Sequence, residues 1–255
     1  MKLAAIWRHP VKSLRGEELS YAGVEHDGVR SDRCWGIRDE RTGRILTGRR
    51  EPQLLQASAS LATSGEPELS LPNGTRCVGV GETTDAALSA WLDRPVSLVN
   101  AASSPGARAE YFADATDDQS QAVEWTMPAG RFVDAMPVLL LTTASLRAGS
   151  AFHSGGCWDV RRFRPNLLIE VDEDGWVEDG WCDQIVRVGE AELVPRQPCI
   201  RCTMVTRAQP GLERDLEIYK SLARSHAGTL GVWATVQTPG SVSVGDPVRV
   251  LSTLT

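Results

Sequence analysis

Two cysteines separated by two residues, Cys199 and Cys202, are the first candidates for chemistry in this chain of 255 residues. Such a pair can bind zinc, cycle as a dithiol, or supply one thiolate to a softer metal. A closed zinc site lacks further ligands, because no second Cys-x-x-Cys occurs and the four histidines are scattered. A thioredoxin-like dithiol requires a helix here, whereas we predict that Thr203–Thr206 continues as a strand. Two thiols without a role are the remaining alternative.

A lysine, a serine and two arginines could form a second kind of site, one for an anion. Lys12 and Ser13 follow Pro10, which ends the first predicted strand and leaves both residues in a turn with free donors. An ammonium, a hydroxyl and adjacent backbone N–H groups suit a phosphate group. Arg33 and Arg164 add guanidinium groups, which can hold a phosphate through two parallel hydrogen bonds. The alternative is that all four are solvated surface side chains.

The composition limits the classes of protein and partner. With 42% apolar and 24% charged residues, the chain has the composition of a folded protein rather than a disordered, coiled-coil or collagen-like one. Residues 1–50 carry 11 Lys plus Arg against 7 Asp plus Glu, whereas residues 51–255 carry 16 against 26. This asymmetry allows a confined anion site near the N-terminus, while the net charge of -6 argues against a nucleic-acid polymer as partner.

The cellular location is also an expectation from the sequence. No apolar run approaches the roughly 18 to 20 residues of a membrane-spanning helix, and no targeting segment is visible at the N-terminus. Six cysteines are too few for a disulfide scaffold, so we expect reduced thiols. Together these features favour a cytoplasmic protein that does not contact the membrane.

The elements that must position these residues are mostly strands, because short alternating or β-branched runs are separated by turn residues. Residues 213–223 form the one convincing amphipathic helix pattern, with Leu216 on its apolar face. The sequence therefore predicts a β-rich α+β protein with few short helices. Residues 101–130 lack periodicity and predict a linker or long surface loop. We thus expect one domain over residues 1–100 and another over 131–255.

Several motifs, taken in order, resemble those of a known family. In the first half they are Val11-Lys12-Ser13-Leu14-x-Gly16, Ser31-Asp32-Arg33-x-Trp35 and Leu46-Thr47-x-Arg49; in the second they are Asp134-x-x-Pro137, Arg162-Phe163-Arg164-Pro165-Asn166 and Cys199-x-Arg201-Cys202. The first set resembles the N-terminal MOSC β-barrel domain, and the second resembles the MOSC domain, named for the C-terminal domain of molybdenum cofactor sulfurase. Within this superfamily the chain is similar to the mitochondrial amidoxime reducing component and its bacterial relatives.

The resemblance implies a fold, a cofactor and a reaction. It implies a MOSC β-barrel packed against an N-terminal β-barrel-like domain, with a pyranopterin molybdenum cofactor between them. The reaction would be the reduction of N-hydroxylated or N-oxide compounds by oxygen-atom removal at molybdenum. In the family the second cysteine of the Cys-x-Arg-Cys motif is the metal ligand, which is Cys202 here, and the preceding Arg201 helps to hold the cofactor. A soft thiolate suits a metal of this kind.

The resemblance also implies roles for the other matching positions. The positions that match those at the pterin phosphate are Lys12, Ser13, Arg33 and Arg164. Asp134 and Asn166 match polar positions beside the metal, where a catalytic role is expected. Ala135 stands where relatives often carry a hydroxyl residue, so that only its backbone could contact the pterin.

The electron source follows from what the sequence lacks. It contains no cysteine quartet with iron–sulfur spacing and no Gly-x-Gly-x-x-Gly motif, so we expect a separate flavin or iron–sulfur reductase as donor and a small N-hydroxylated compound as substrate. A rival hypothesis is a carrier of the cofactor, or a sulfur relay in which Cys199 or Cys202 holds a persulfide. Stoichiometric molybdenum would favour the enzyme, and labile sulfur without pterin would favour the relay.

Overall fold

The structure of the protein is a computed structural model, which describes residues 1–112, 114, 117 and 120–251. Strands dominate this part of the chain and three α-helices accompany them, which confirms the prediction of a β-rich α+β protein. The helices are α1 (Glu82–Leu92), α2 (Thr143–Phe152) and α3 (Leu216–Ser225). Among the described residues, no helix has the length and apolar character needed to span a membrane.

Eighteen strands are found in the described residues. In chain order they are β1 (Lys2–Arg8), β2 (Glu17–Leu19), β3 (Tyr21–Glu25), β4 (Gly28–Val29), β5 (Trp35–Asp39), β6 (Ser58–Leu61), β7 (Pro67–Ser70), β8 (Arg76–Val78), β9 (Val96–Asn100), β10 (Arg108–Phe112), β11 (Ala122–Thr126), β12 (Val138–Thr142), β13 (Leu167–Glu170), β14 (Ile185–Val188), β15 (Ala191–Ile200), β16 (Thr229–Thr238), β17 (Gly240–Ser243) and β18 (Val248–Leu251). Short 3₁₀ helices lie at Pro52–Gln56, Val160–Arg162, Val177–Trp181 and Thr203–Thr206.

The main sheet has eight strands in the order β18-β14-β15-β16-β12-β13-β1-β2. β12 and β13 are parallel, and the other neighbouring pairs are antiparallel. β18 and β2 are its edges, so within the described residues this sheet does not close into a barrel. β1 comes from the first residues of the chain, yet Leu3 and Ile6 are fully buried in one core with residues of β12 to β16. The two halves of the chain therefore share a core, and the limits of 1–100 and 131–255 stay a prediction.

The smaller N-terminal lobe is built from β5 to β9 and α1. β5 pairs with β9, while β6, β7 and β8 form a three-stranded sheet whose β7–β8 turn contains Asn73 and Gly74. Gly74 has a φ of 85°, which glycine adopts without steric cost. α1 covers this lobe because Leu88 and Leu92 pack with Leu54 in a second core. The lobe thus has its own core, separate from that of the main sheet.

The structure corrects the expected linker at residues 101–130. β10 and β11 lie in this segment and pair over five residues as a hairpin, whereas residues 113, 115, 116, 118 and 119 lie outside the described residues. Most side chains of both strands are partly or fully exposed, and Ala109 is the buried exception. Because the strands lack a fully apolar face, their sequence shows no alternation. Cross-strand hydrogen bonds, rather than burial, define the hairpin.

Two further elements differ from the prediction. Thr203–Thr206 is a 3₁₀ helix and not a strand, since the Thr206 hydroxyl donates to the Thr203 carbonyl at 2.7 Å and closes a local turn. The helix expected at 213–223 begins at Leu216 because the Asp215 carboxylate accepts the Glu217 N–H. Its buried face centres on Ile218 and Leu222, while Leu216 is exposed.

Candidate functional site

A cleft between the main sheet and the N-terminal lobe is lined by all nine residues singled out in the sequence. These are Lys12, Ser13, Arg33, Asp134, Ala135, Arg164, Asn166, Arg201 and Cys202. The cleft contains about 820 Å³ of space, counting the part open to solvent. Residues far apart in sequence are thus brought together, in agreement with a single binding site.

The turn after β1 is fixed by the neighbouring loops. The backbone N–H of Lys12 donates to the Trp35 carbonyl at 2.8 Å, and the Ser13 hydroxyl accepts the Gly48 N–H at 2.8 Å. A Cβ atom at Gly48 would lie 3.1 Å from Met204, so this position has little room for a side chain. The loop at residue 48 therefore packs closely over the turn that carries Lys12 and Ser13.

Three of the four residues predicted at the phosphate have left-handed backbone conformations. Ser13 has a φ of 68°, and Arg33 and Arg164 each have a φ of 53°. Residues other than glycine rarely adopt this region, and such strain is concentrated at binding and catalytic sites. The surrounding structure therefore holds these three backbone segments in a conformation that the sequence alone would not favour.

Charged and phenolic groups converge on Asp134. Its Oδ1 lies 2.5 Å from the Lys12 ammonium and accepts the Tyr111 hydroxyl at 2.9 Å, and Arg49 lies 3.5 Å from Oδ2. Lys12 also donates to the Phe132 carbonyl at 3.0 Å. Enclosure raises the pKa of Asp134, but the charges of Lys12 and Arg49 outweigh it and hold this pKa well below its usual range. Burial lowers the pKa of Lys12, and Asp134 partly offsets that effect.

A second cluster of charged side chains in the cleft carries more positive than negative charge. It consists of Arg33, Asp32 and Arg164. Arg33 forms an ion pair with the buried Asp32 and donates to the Arg164 carbonyl at 3.4 Å. The Arg164 guanidinium donates to the Leu14 carbonyl at 2.7 Å. Burial and the charge of Arg33 lower the pKa of Arg164 to about 9. Two guanidinium groups close together with one buried carboxylate form a site that an anion would complete.

The two cysteines of the Cys-x-x-Cys pair have different surroundings. Both cysteines line the cleft, but only Cys202 also lines the groove beside it, and the Cys202 side chain interacts with the guanidinium of Arg49. Burial lowers the pKa of Arg49, but the charges of Cys202 and Asp134 together raise it above its ordinary value. Burial raises the pKa of the Cys199 thiol to about 11, which keeps this thiol protonated. Cys202 is therefore the better placed of the two as a metal ligand.

Arg201 and Asn166 have most of their polar groups bonded to the backbone. Arg201 donates to the Leu230 carbonyl at 2.6 and 2.8 Å and to the Phe163 carbonyl at 2.8 Å. The Asn166 side chain accepts the Leu139 N–H at 3.1 Å and donates to a carbonyl of β1 at 3.3 Å. Both residues hold the cleft walls together, and their contact with a cofactor or metal stays a prediction.

Arg49, Tyr111 and Trp233 also line the cleft and were not among the predicted site residues. The Arg49 guanidinium lies 4.3 Å from the centre of the Tyr111 ring. Burial and the charge of Asp134 raise the pKa of Tyr111, so its hydroxyl keeps its proton. Arg49 belongs to the motif Leu46-Thr47-x-Arg49, so the sequence contained a signal that could have identified it as a site residue. Tyr111 has no motif, and only the pairing of β10 with β11 places it here.

A second groove, called here the aromatic groove, opens from the cleft beside Cys202. Its apolar and aromatic lining comprises Tyr111, Phe112, Val123, Trp125, Ile200 and Trp233. Cys202, Asp134 and Arg49 line both the aromatic groove and the cleft. Val123 and Trp125 are each about half exposed, although both are large and apolar. An apolar ligand in this groove would therefore lie next to the thiol.

The fold and the cleft define a two-lobed, β-rich protein with a cation-rich, thiol-containing site where the lobes meet. The family model of the MOSC N-terminal beta barrel domain matches residues 1–117, and that of the MOSC domain matches residues 127–249. The chain therefore belongs to the MOSC-domain proteins that carry this N-terminal domain. The MOSC domain is a molybdenum cofactor-binding domain family.

The chain is similar to known proteins over almost its whole length. The mitochondrial amidoxime-reducing component 1 of Homo sapiens is 27% identical over 291 residues, covering 98% of this chain and 82% of the relative. The mitochondrial amidoxime reducing component 2 of Bos taurus is 27% identical over 290 residues, covering 96% and 82%. Among solved structures, the YUAD protein from Bacillus subtilis gives a TM-score of 0.48 at 10% identity, covering 98% of this chain and 94% of that chain.

Proposed function

We propose that the protein is a molybdenum cofactor-dependent oxidoreductase that reduces N-hydroxylated or N-oxide compounds. The observation that carries this proposal is that Cys202 lies in one cleft with four hydrogen-bond donors, Lys12, Ser13, Arg33 and Arg164, which together could hold a phosphate. A molybdenum pyranopterin needs both, a soft ligand for its metal and cations for its phosphate. The names of the relatives support the reaction. When bound, the cofactor supplies two-electron removal of oxygen from an N–O bond.

The residues of the cleft fit this group on two counts. The first is electrostatic: Arg33 and Arg164 repel one another, and burial makes the charge of Arg164 costly, so that a phosphate beside them would stabilise both. The second is the donor set, since Cys202 offers sulfur at the cleft wall and is flanked by the cation of Arg49. Lys12 would reach the phosphate by giving up part of its contact with Asp134.

Asp134, which accepts hydrogen bonds from Tyr111 and Lys12, would orient the substrate hydroxyl beside the reacting bond. Release of water from an N-hydroxyl group consumes two protons. The Tyr111 hydroxyl and the Lys12 ammonium both hold a proton directed at Oδ1 of Asp134. Asp134 stays ionised because Lys12 and Arg49 depress its pKa. The carboxylate can therefore accept a hydrogen bond from the substrate hydroxyl and orient it, while the two protons consumed would come from solvent.

The aromatic groove would bind the rest of the substrate. Its walls include Trp125 and Trp233, and Cys202 lines it as well. Flat aromatic rings bind well between such side chains. We therefore propose a small, flat, apolar N-hydroxylated compound, such as an aromatic amidoxime, as the substrate. Its polar N–OH end would lie towards Asp134.

Electrons would come from a separate flavin or iron–sulfur reductase, because the sequence has no nucleotide-binding motif or iron–sulfur quartet. The decisive experiment measures molybdenum and pterin in the purified protein and supplies reduced viologen with an aromatic amidoxime. We expect stoichiometric molybdenum and formation of the amidine. Protein that contains labile sulfur but no pterin, and that leaves the amidoxime unchanged, would overturn the proposal in favour of the sulfur relay. The protonated Cys199 thiol argues against a relay through Cys199.

A further inference from the structure

A second cavity, called here the His9 cavity, lies next to the cleft and shares one residue with it. Arg164 lines both, and the His9 cavity is otherwise lined by residues that include Trp7, His9, Arg15 and Arg161. It contains about 590 Å³ of space, counting the part open to solvent. His9 belongs to the segment that ends β1, but the proposed function gives it no role. The cavity is therefore a separate feature that needs its own explanation.

Buried polar atoms around the His9 cavity have no hydrogen-bond partner among the described residues. They are Nε1 of Trp7, Nε of Arg15 and at least one ring nitrogen of His9, whose other nitrogen lies near the Pro165 carbonyl. The His9 side chain is almost fully buried, at 3% exposure. Native proteins leave few buried polar groups unpaired, because each costs about 1–3 kcal/mol. Three such side chains around one cavity indicate a polar ligand.

The chemistry of these groups selects an anion. The indole N–H of Trp7 and the guanidinium of Arg15 can only donate hydrogen bonds. No aspartate or glutamate is among the described residues that line the cavity. Burial and the charge of Arg161 both lower the pKa of Arg15. Burial lowers the pKa of His9 as well, and the charges of Arg164 and Arg33 add to this effect. Positive charge here is thus unbalanced, although Asp159 pairs with Arg161.

We propose that the His9 cavity binds a phosphoryl group, as a second anion site beside the proposed pterin phosphate site. Trp7, His9 and Arg15 supply its donors, and Arg164 lies between it and the cleft. Two sources share this chemistry: the second phosphate of a dinucleotide form of the pterin cofactor, or free phosphate and small phosphorylated molecules. Binding of phosphate here does not require the reductase activity, so either proposal can fail without the other.

Inorganic phosphate is the probe, and the ring signals of the four histidines in the NMR spectrum are the readout. Titration of the full chain, prepared without cofactor, should shift the signals of His9 and leave those of His26, His153 and His226 in place. Arg15→Gln should weaken this response roughly tenfold or more, because a charge-assisted hydrogen bond is lost. Arg187→Gln is the matched control, since Arg187 is exposed on β14 and pairs with Glu192.

Two further comparisons show where the phosphate binds and which kind of molecule supplies the phosphoryl group. Lys12 lines the cleft but not the His9 cavity, so Lys12→Ala should leave the His9 response unchanged. Nucleoside monophosphate released by acid from the cofactor-loaded protein would identify a dinucleotide cofactor, and its absence with phosphate still bound would identify a free phosphoryl ligand. The proposal is overturned if phosphate leaves the His9 signals unmoved, or if Lys12→Ala abolishes the response while Arg15→Gln preserves it.

Discussion

Arg164 and Arg162 lie two positions apart in one segment, yet their substitution by glutamine should change stability in opposite directions. Burial and the charge of Arg33 lower the pKa of Arg164 from 12.5 to about 9, which at about 1.4 kcal/mol per pKa unit is a cost of roughly 5 kcal/mol for a retained charge. Arg164→Gln removes that cost and one charged hydrogen bond, to the Leu14 carbonyl, worth about 1.5–3 kcal/mol. The variant without cofactor should therefore gain about 2–3.5 kcal/mol in its free energy of unfolding.

Arg162 is the matched control because its guanidinium is held by backbone carbonyls. The acceptors are the carbonyl oxygens of Cys157, Val205, Arg207 and Glu213. Arg162→Gln leaves most of these acceptors without a donor, so we expect a loss of about 3 kcal/mol or more in the free energy of unfolding. We expect that Arg162 supports the loops that surround it, whereas Arg164 serves the anion site that we propose.

Urea denaturation of both variants without cofactor measures the two stabilities, and the molybdenum content of the loaded proteins measures cofactor retention. Arg164→Gln should retain roughly tenfold less cofactor than the original protein, in spite of its greater stability. A loss of stability in Arg164→Gln comparable to that of Arg162→Gln would refute the reasoning, because Arg164 would then be a structural residue. Full cofactor retention in Arg164→Gln would refute it equally.

Four other predictions concern the site and the core. Cys202→Ser should abolish amidoxime reduction and the molybdenum–sulfur contact seen by X-ray absorption, whereas Cys199→Ala should keep both. Lys12→Ala should lower cofactor occupancy roughly tenfold, measured as pterin per chain. Trp125→Ala should raise KM for an aromatic amidoxime about fivefold or more at unchanged kcat, because ring contacts are lost; an equal change for an aliphatic substrate would contradict the groove assignment. Burial raises the pKa of Glu178 above 4.5, so its contribution to stability is present below that pH and is lost as the pH rises through the raised pKa. Glu178→Gln should therefore become more stable relative to the original protein with rising pH in denaturation experiments.

Sequence reasoning was most successful where chemistry depends on local motifs. Lys12, Ser13 and Cys202 each stand in a short pattern whose residue types suggest their chemistry, and all three line the cleft. The neighbours of these residues were harder to predict. Tyr111 reaches Asp134 only because β10 pairs with β11, and neither strand shows the apolar alternation that marks a half-buried strand.

Long-range pairing and backbone strain explain the remaining differences. The placement of β1 between β13 and β2 depends on partners far along the chain, which no local pattern specifies. The left-handed conformations of Arg33 and Arg164 are imposed by surrounding structure, since arginine has no local preference for them. Thr203–Thr206 was misjudged because a side-chain hydrogen bond decides its turn.

Because β1 pairs with β13 of the second half, part of the main sheet can form only late in the synthesis of the chain. β1 emerges first from the ribosome, but its partner β13 follows some 160 residues later, which at about 5–20 residues per second is a wait of roughly 8 to 30 seconds. Until then Leu3 and Ile6, which end up fully buried, have no core to enter. The cleft is complete only when Cys202 and Trp233 have also emerged. During this time β1 has only β2 as a pairing partner, and a ligand of the cleft could bind only after Trp233 has been made.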